Sequence, residues 1–416
     1  MDWQTSGMSI TFDPAAIDDT EGLIPSARND DSLTLGPNWF ASVMGTGIVA
    51  TAGATLPFHV TGMHVFTLSV WLISLTMLSV LVVASGVHWV RHPSTFQRYS
   101  RDVTLAQFFG APPMALLTVG AGALLVGHTL IGEGAAVTLD WVLWTAGTIT
   151  GLATAVAVPY LLFTRLEVRH DAAFGGWLMP IVPPMVSAAT GGLLIPHVPS
   201  ASGRATLLYG CYAMFGLSLI ASLIIITLIW SRLAHFGSSG SVRVPTLWIV
   251  LGPLGQSITA AAILGSNSSL AVAPPIARGF SFFSLAFGVP TWGFAILWIC
   301  LATALTIRTV RHHLPFHLTW WSFTFPVGTF VTGTAHLALA THLPAFRVAT
   351  GVAYSTLLCA WVIVAILTVR GILFGESLRS PLAGGRGPEA KKGALVFLPV
   401  TEVAGETPSD ADVWVP

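Results

Sequence analysis

Long uncharged apolar segments recur along the chain, separated by short polar breaks that often contain glycine or proline. A bilayer core about 30 Å thick requires about 20 apolar residues in a helix. Ten segments fit this requirement, at residues 38–56, 63–86, 105–127, 139–163, 177–196, 205–230, 246–266, 280–306, 319–340 and 346–369. We expect each to be a transmembrane helix free of Asp, Glu, Lys and Arg, so the pattern predicts an all-α polytopic membrane protein.

The arginines between these segments predict the orientation of the chain. Nine follow even-numbered spans and three follow odd-numbered spans. Because Lys and Arg in short loops favour the cytoplasmic side, both termini are expected in the cytoplasm, with the protein in the cell (inner) membrane. Residues 1–37, which are acidic, and residues 373–416 are expected to be disordered cytoplasmic tails on either side of a ten-helix domain at 38–372.

A repeated pattern relates the odd-numbered spans to one another. In four of them a proline is followed six residues later by a threonine, and Phe40 and Thr46 occupy the same register in the first span. The four pairs are Pro112 and Thr118, Pro184 and Thr190, Pro253 and Thr259, and Pro326 and Thr332. Successive threonines are 72, 72, 69 and 73 residues apart. The pattern predicts five pseudo-five-fold helical hairpins around a central pore, with the odd-numbered helices inside.

The repeated prolines and threonines are candidate pore-lining residues. A proline kinks a membrane helix and frees a carbonyl that neighbours or water must satisfy, and a threonine offers a hydroxyl. Packing is the alternative interpretation, since small residues and prolines are common where membrane helices cross and threonine can bond its own backbone.

Composition and charge narrow the function classes. The chain is 53% hydrophobic and 9% charged, which excludes an ordinary soluble domain, and its net charge of zero does not indicate a nucleic-acid partner. Residues 38–369 nevertheless hold 12 bases and 5 acids. With no acid expected in the pore, this excess favours small anions as partners. A cytoplasmic collar that attracts them is predicted from Arg91, Arg165, Arg169, Arg232, Arg308 and Arg311, although these arginines also fit a role in topology alone.

Two side chains are candidates for specific roles in such a pore. His336 is the histidine well inside a span and is a possible anion or proton site, with a helix-end structural role as the alternative. Phe325 directly precedes Pro326 and is a candidate hydrophobic plug, although a ring facing lipid or another helix is the commoner case. The sequence "HHLPFH" (312–317) is broken by Pro315, so no metal site is expected, and no cofactor or enzymatic motif is indicated.

Three segments resemble the tellurite-resistance/dicarboxylate transporter family: "PNWFASVMGTGIVA" (37–50), "LGPLGQSITAAAILG" (251–265) and "WWSFTFPVGTFVTGTAHLA" (320–338). That family includes the plant slow anion channel, tellurite-resistance proteins, malate permeases and sulfite efflux pumps. The resemblance implies ten helices with a pore formed by the odd-numbered ones, usually a homotrimer, and a gate at Phe325. It leaves the anion open among C4-dicarboxylates, sulfite, tellurite, chloride and nitrate. The first span lacks the repeat proline, which makes constriction by that helix less certain.

Transport of an anion across the membrane is therefore the main hypothesis. With no Lys or Arg expected in the spans, selectivity would depend on pore width, on hydroxyls such as those of Thr46, Thr259 and Thr332, on the amide of Gln256 and on helix dipoles. The competing hypothesis is a membrane scaffold or sensor that does not transport and signals through its tails.

Overall fold

A computed structural model describes residues 36–374, except residues 167, 170, 238–242, 312, 313 and 315. Almost all of the two predicted tails lies outside the described residues, as do His312, His313 and Pro315, so the expectations for those segments stay predictions. Within the described residues the secondary structure is helical and no strand occurs.

The described residues form twelve α-helices. They are α1 (Phe40–Ala54), α2 (Met63–Arg91), α3 (Pro93–Arg101), α4 (Ala111–Gly122), α5 (His128–Ile131), α6 (Glu133–Thr164), α7 (Pro183–Leu194), α8 (Ala201–Phe236), α9 (Leu251–Asn267), α10 (Pro274–Val310), α11 (Phe325–Thr341) and α12 (Pro344–Phe374). Short 3-10 segments precede α4, α9 and α11, and a π-helical turn, Ala123–Gly127, joins α4 to α5.

Seven helical segments are long and apolar enough to cross a membrane, so the chain is a multi-pass membrane protein. They are Met63–Arg91, Leu105–Ile131, Glu133–Thr164, Ala201–Phe236, Val244–Leu270, Pro274–Val310 and Pro344–Leu373. The other three predicted spans form the shorter helices α1, α7 and α11, with 15, 12 and 17 residues. These three are below the length of about 20 residues that a straight helix needs to span a bilayer.

The helices divide into two classes by burial. Fourteen of the 15 residues of α1 are buried, and α4, α7, α9 and α11 are buried along most of their length in the same way. In contrast, six of the 29 residues of α2 are buried, and its outward valines, such as Val65 and Val83, are exposed. Exposed valine, leucine and isoleucine side chains also cover α6, α8, α10 and α12. Such a surface suits lipid, whereas it would be unfavourable in water.

The five buried helices contact one another in chain order. α1 packs on α4, α4 on α7, α7 on α9, α9 on α11, and α11 returns to α1. Each long exposed helix packs against the buried helix that precedes it in the chain and against the next buried helix, with α12 contacting α1. We call α1, α4, α7, α9 and α11 the inner helices and α2, α6, α8, α10 and α12 the outer helices.

Tryptophan indoles attach four of the outer helices to the next inner helix. A buried indole N–H requires an acceptor, and a hydrogen bond across helices satisfies it. The four bonds run from Trp71 Nε1 to the carbonyl oxygen of Val119 (3.0 Å), from Trp144 Nε1 to that of Ser187 (2.9 Å), from Trp292 Nε1 to Thr334 Oγ1 (3.0 Å), and from Trp361 Nε1 to Thr46 Oγ1 (3.2 Å). These bonds fix the rotation of the inner helices relative to the outer ones.

Asp140 contradicts the expectation that the spans carry no charged residue. It lies inside the predicted span 139–163 and inside α6, and its side chain is fully buried. Neither carboxyl oxygen has a hydrogen-bond partner among the described residues. The expectation was wrong because one acidic residue does not interrupt an apolar run. The missing side chain of Gly120 leaves room for the carboxyl group on the facing helix α4, where a Cβ would collide with Asp140 Oδ1.

Candidate functional site

A cavity of about 90 Å³ lies among the five inner helices. Each of them contributes to its wall, for example Ile48 of α1, Thr118 of α4, Thr190 of α7, Thr259 of α9 and Thr332 of α11. Four of the five threonines predicted from the repeat therefore line one cavity. The rest of the wall includes side chains that the repeat does not identify: Thr51, Thr55, Ala121, Leu125, Val186, Ala189, Leu193 and Ile263. Several of them lie three or four residues from a repeat threonine, the spacing of one helix face.

The hydroxyl groups in this cavity already have local acceptors. Thr118 and Thr190 donate to the carbonyl oxygens of Met114 and Val186, at 2.7 and 2.9 Å. Thr259 and Thr332 share a hydrogen bond of 2.8 Å between their hydroxyls, across α9 and α11. A threonine hydroxyl rotates readily, so these groups can turn to donate to an anion at the cost of a weak bond to their own helix.

His336 lines the cavity together with the amide residue Gln256. The Nε2 atom of His336 is buried and has no hydrogen-bond partner among the described residues. A ring nitrogen in this position can bind a proton or donate to an anion, since imidazole does either according to its protonation. Among the described residues, no Lys or Arg lines the cavity.

Phe325 separates this cavity from a smaller one of about 20 Å³. Its ring lines both, and only 2% of the residue is exposed. The smaller cavity is bounded mainly by apolar side chains, among them Met44, Phe108, Met114 and Ile249. Phe325 is the first residue of α11, so it lies at the end of the inner helices that is nearer the arginine-bearing loops. An apolar ring in such a position is the type of side chain that can exclude water and ions from a narrow passage.

The structure places the other predicted pore residues elsewhere. Pro326 lines the smaller cavity, whereas Pro112, Pro184 and Pro253 line neither cavity. The four prolines occupy the first turn of α4, α7, α9 and α11. These prolines were expected to kink helices, and instead they lie where helices begin. In the first turn of a helix the backbone N–H has no intrahelical acceptor, so the missing N–H of proline costs no hydrogen bond there.

Thr46 differs from the other repeat threonines. It lines neither cavity, and its hydroxyl accepts the Trp361 indole N–H of the outer helix α12. Thr46 has the spacing along the chain that the repeat requires, but the rotation of α1 points its side chain toward the outer helix α12. The first span also lacks the proline that begins the other inner helices, so α1 is not bound to start at the same residue.

The predicted arginine collar occupies one end of the outer helices. Arg91 ends α2, Arg165 follows α6, Arg232 lies in the last turn and a half of α8, and Arg308 and Arg311 lie at the end of α10. Arg232 is 6% exposed and donates from Nε to the carbonyl oxygen of Asp171 at 3.0 Å.

Arg169 belongs to the same end but pairs with an acid. Its Nε lies 3.0 Å from Asp171 Oδ1, and this hydrogen bond lowers the pKa of the Asp171 carboxyl. Asp171 therefore stays ionised, and it offsets part of the positive charge of Arg169 and, more weakly, of Arg232.

Comparisons with known proteins agree with this geometry. The model of the voltage-dependent anion channel family, SLAC1, matches residues 34–369. The sulfite efflux pump SSU1 of Trichophyton rubrum is 27% identical over 352 residues, covering 82% of this chain and 92% of that protein. An uncharacterized transporter, MJ0576 of Methanocaldococcus jannaschii, is 27% identical over 302 residues, covering 72% and 82%. The malic acid transport protein of Schizosaccharomyces pombe is 22% identical over 352 residues, covering 82% and 78%.

These relatives are named as transporters of anions or as transporters, and none of the three is named as an enzyme. The family match covers the whole helical domain, including the cavity and Phe325. This confirms the family resemblance and the main hypothesis of anion transport, and the chain belongs to the voltage-dependent anion channel family of membrane anion channels and transporters.

Proposed function

We propose that this protein conducts small inorganic anions, with sulfite as the leading candidate, through a pore enclosed by the five inner helices and closed by Phe325. The observation that carries the proposal is the cavity to which all five inner helices contribute and which the Phe325 ring also lines. In this proposal the ten predicted spans are ten transmembrane helices, arranged as five hairpins of one inner and one outer helix.

The arginine distribution supports ten crossings rather than seven. The outer helices α2, α6, α8 and α10 all run toward an arginine-bearing loop, which the preference of arginine for the cytoplasm places on one side. Between two outer helices of the same direction the chain must return across the membrane. The short helices α7 and α11 make this return together with the loops and 3-10 segments at their ends, and the short helix α1 makes the first crossing, before α2. Because they are enclosed by protein, irregular backbone beside them can be satisfied without lipid contact.

The lining favours a small anion of low charge over a C4-dicarboxylate. Dicarboxylate sites typically use bidentate arginine, and no Lys or Arg lines the cavity. One histidine, hydroxyl groups and an amide can balance a single charge, such as that of hydrogensulfite, the singly protonated form of sulfite, with His336 as the anion or proton site. Among the relatives, the sulfite efflux pump is 27% identical and the malic acid transport protein 22% identical, which also favours sulfite.

The proposed surroundings follow from the same features. The apolar outer faces support a location in the cell membrane, and the arginines at one end of the outer helices support cytoplasmic termini. In this proposal the arginine collar at that end concentrates anions at the pore mouth. We also propose a homotrimer with one pore per subunit. Native mass spectrometry from detergent tests this directly: a trimer is expected, and a monomer at all concentrations would contradict it.

A flux assay on the purified full chain in liposomes tests the proposed function. Sulfite, nitrate, chloride and malate are offered in turn, with empty liposomes as the control. We expect sulfite to pass fastest and malate to pass most slowly. Nitrate, chloride or both should pass at intermediate rates. Malate as the fastest anion would contradict the proposed selectivity, and no flux of any anion would contradict the function itself.

A further inference from the structure

Asp140 is the eighth residue of α6, about 10 Å along the helix axis from the first residue, Glu133. Its side chain is fully buried, and both carboxyl oxygens lack a hydrogen-bond partner among the described residues. A buried polar group normally finds a partner, and an ionised one without a partner costs several kcal/mol. Neither the cavity nor the Phe325 barrier uses this carboxyl group, so its presence requires another explanation.

The carboxyl group is packed against the back of a pore-lining helix. Gly120 of α4 faces it, and a Cβ at position 120 would collide with Asp140 Oδ1. The neighbouring residues Thr118 and Ala121 line the 90 Å³ cavity on the other side of α4. One residue before Gly120, the carbonyl oxygen of Val119 accepts the Trp71 indole N–H. Asp140 therefore touches α4 at the level where that helix forms the cavity wall.

The side chains around Asp140 offer no compensating charge. The elements that pack on α6 are the helical segment Leu105–Ile131 and α7. Their described residues contain one titratable side chain, His128, whose Nδ1 already bonds the carbonyl oxygen of Leu124 and whose ring is exposed. On α6 itself, Glu133 and Tyr160 are exposed and lie seven and twenty positions away. The neutral acid is the form that fits this environment without a counter-charge.

We propose that Asp140 is a proton-binding site that holds α4 in its closed position and makes anion flux depend on pH. The proton is carried reversibly on a carboxyl oxygen. When it leaves, the carboxylate has no donor within its packing site and must draw water between α4 and α6. Because the carboxyl group is in close contact with the backbone of α4 at Gly120, water can enter only if α4 moves. Thr118 and Ala121 in the cavity wall then move with this helix. This inference rests on the proposed function for its transport readout.

The direction of the effect follows from the packing. The described arrangement, with Asp140 fully buried and Phe325 between two narrow cavities, is the protonated and closed state. Raising the pH ionises Asp140, displaces α4 and widens the passage, so flux increases with pH. One exchanged proton can change the open population by at most about tenfold per pH unit.

Asp140→Asn tests the inference because it keeps the shape of the neutral acid and cannot ionise. Glu133→Gln is the matched control, an exposed acid on the same helix. Sulfite flux is measured in liposomes between pH 5.5 and 8.5 for wild type and both variants. Titration of sulfite itself affects all three proteins equally, so the readout is the ratio of each variant to wild type.

We expect the sulfite flux of Asp140→Asn, divided by that of wild type, to be near one at acid pH and to fall as the pH rises. The same flux ratio for Glu133→Gln should stay near one at every pH. If the flux ratio of Asp140→Asn does not change with pH, the proposal is overturned. Infrared difference spectroscopy of the protein in lipid provides a readout that does not depend on transport. A neutral carboxyl band that is lost at alkaline pH, retained in Glu133→Gln and missing in Asp140→Asn supports the site, and its absence from wild type overturns it. If no anion passes through wild type, the proposed function fails while this spectroscopic test still decides the proton site.

Discussion

At Gly255 the inner helix α9 lies directly against the backbone of the inner helix α11. A Cβ built on Gly255 would lie 2.5 Å from the backbone nitrogen of Phe330 and 2.6 Å from the carbonyl oxygen of Thr329. Ordinary contacts begin at 3.4 Å, so Gly255→Ala forces these backbones apart by about 1 Å. Neither partner is the flexible end of a side chain, so local rearrangement cannot relieve the overlap.

The separation also breaks hydrogen bonds between the same two helices. The Thr259 and Thr332 hydroxyls are 2.8 Å apart, and Thr329 Oγ1 donates to the carbonyl oxygen of Leu251 at 3.1 Å. Both distances exceed hydrogen-bonding range after a displacement of about 1 Å. Overpacking costs about 1–3 kcal/mol and each bond between membrane helices contributes about 0.6 kcal/mol. We therefore expect Gly255→Ala to destabilise the protein by about 2–4 kcal/mol, as the sum of these contributions.

Gly252→Ala is the matched control, one turn earlier on the same helix, because no atom lies within 4 Å of a Cβ there. It should be neutral or slightly stabilising, since alanine favours a helix over glycine by about 1 kcal/mol. Thermal unfolding of the purified variants in detergent, followed by size-exclusion chromatography, measures the difference. If Gly255→Ala melts at the same temperature as Gly252→Ala, the described contact between α9 and α11 is incorrect.

Three further changes test other parts of the structure. Trp361→Phe removes the indole donor to Thr46 and should lower stability by about 1 kcal/mol in the same unfolding assay, whereas the exposed Trp230→Phe should have no effect. His336→Gln should raise the half-saturating sulfite concentration in liposomes about tenfold, the scale of one hydrogen bond to a charged group, and an unchanged value would remove His336 from the anion site. Arg308→Gln should slow anion entry from the side of the membrane on which the arginine collar lies, at low ionic strength but not at high salt. Arg278→Gln, at the other end of α10, should leave entry from the collar side unchanged.

The sequence is most informative about the outer helices and the repeat. The predicted spans 63–86, 205–230, 280–306 and 346–369 all fall inside single helices, α2, α8, α10 and α12. Each helix extends beyond its predicted span, because hydropathy reports the part that matches the hydrocarbon core and a helix can continue past it. The threonine repeat identified four residues that line one cavity, since a nearly constant spacing keeps equivalent positions at one level of the bundle.

The sequence is less informative where a helix is enclosed on all sides. Thr46 shares the repeat register, yet it faces Trp361, because a helix that is apolar all round carries no stripe that fixes its rotation. Asp140 shows a second limit. An acidic residue in an apolar run suggests a helix end, and its burial became visible only with the position of Gly120 on the facing helix. The proline positions were predicted, but their role as helix starts depends on the 3-10 segments that precede them.

Sulfite flux through Phe325→Ala in liposomes tests whether the Phe325 ring closes the pore. Phe330→Ala is the matched control, a buried ring on the same helix that stacks on Trp292 and lines neither cavity. Removing the Phe325 ring joins the two cavities, so flux per folded molecule should rise at least about tenfold, equivalent to a barrier lower by about 1.4 kcal/mol. Phe330→Ala should leave it near the wild-type rate. Equal flux through Phe325→Ala and wild type would contradict the account.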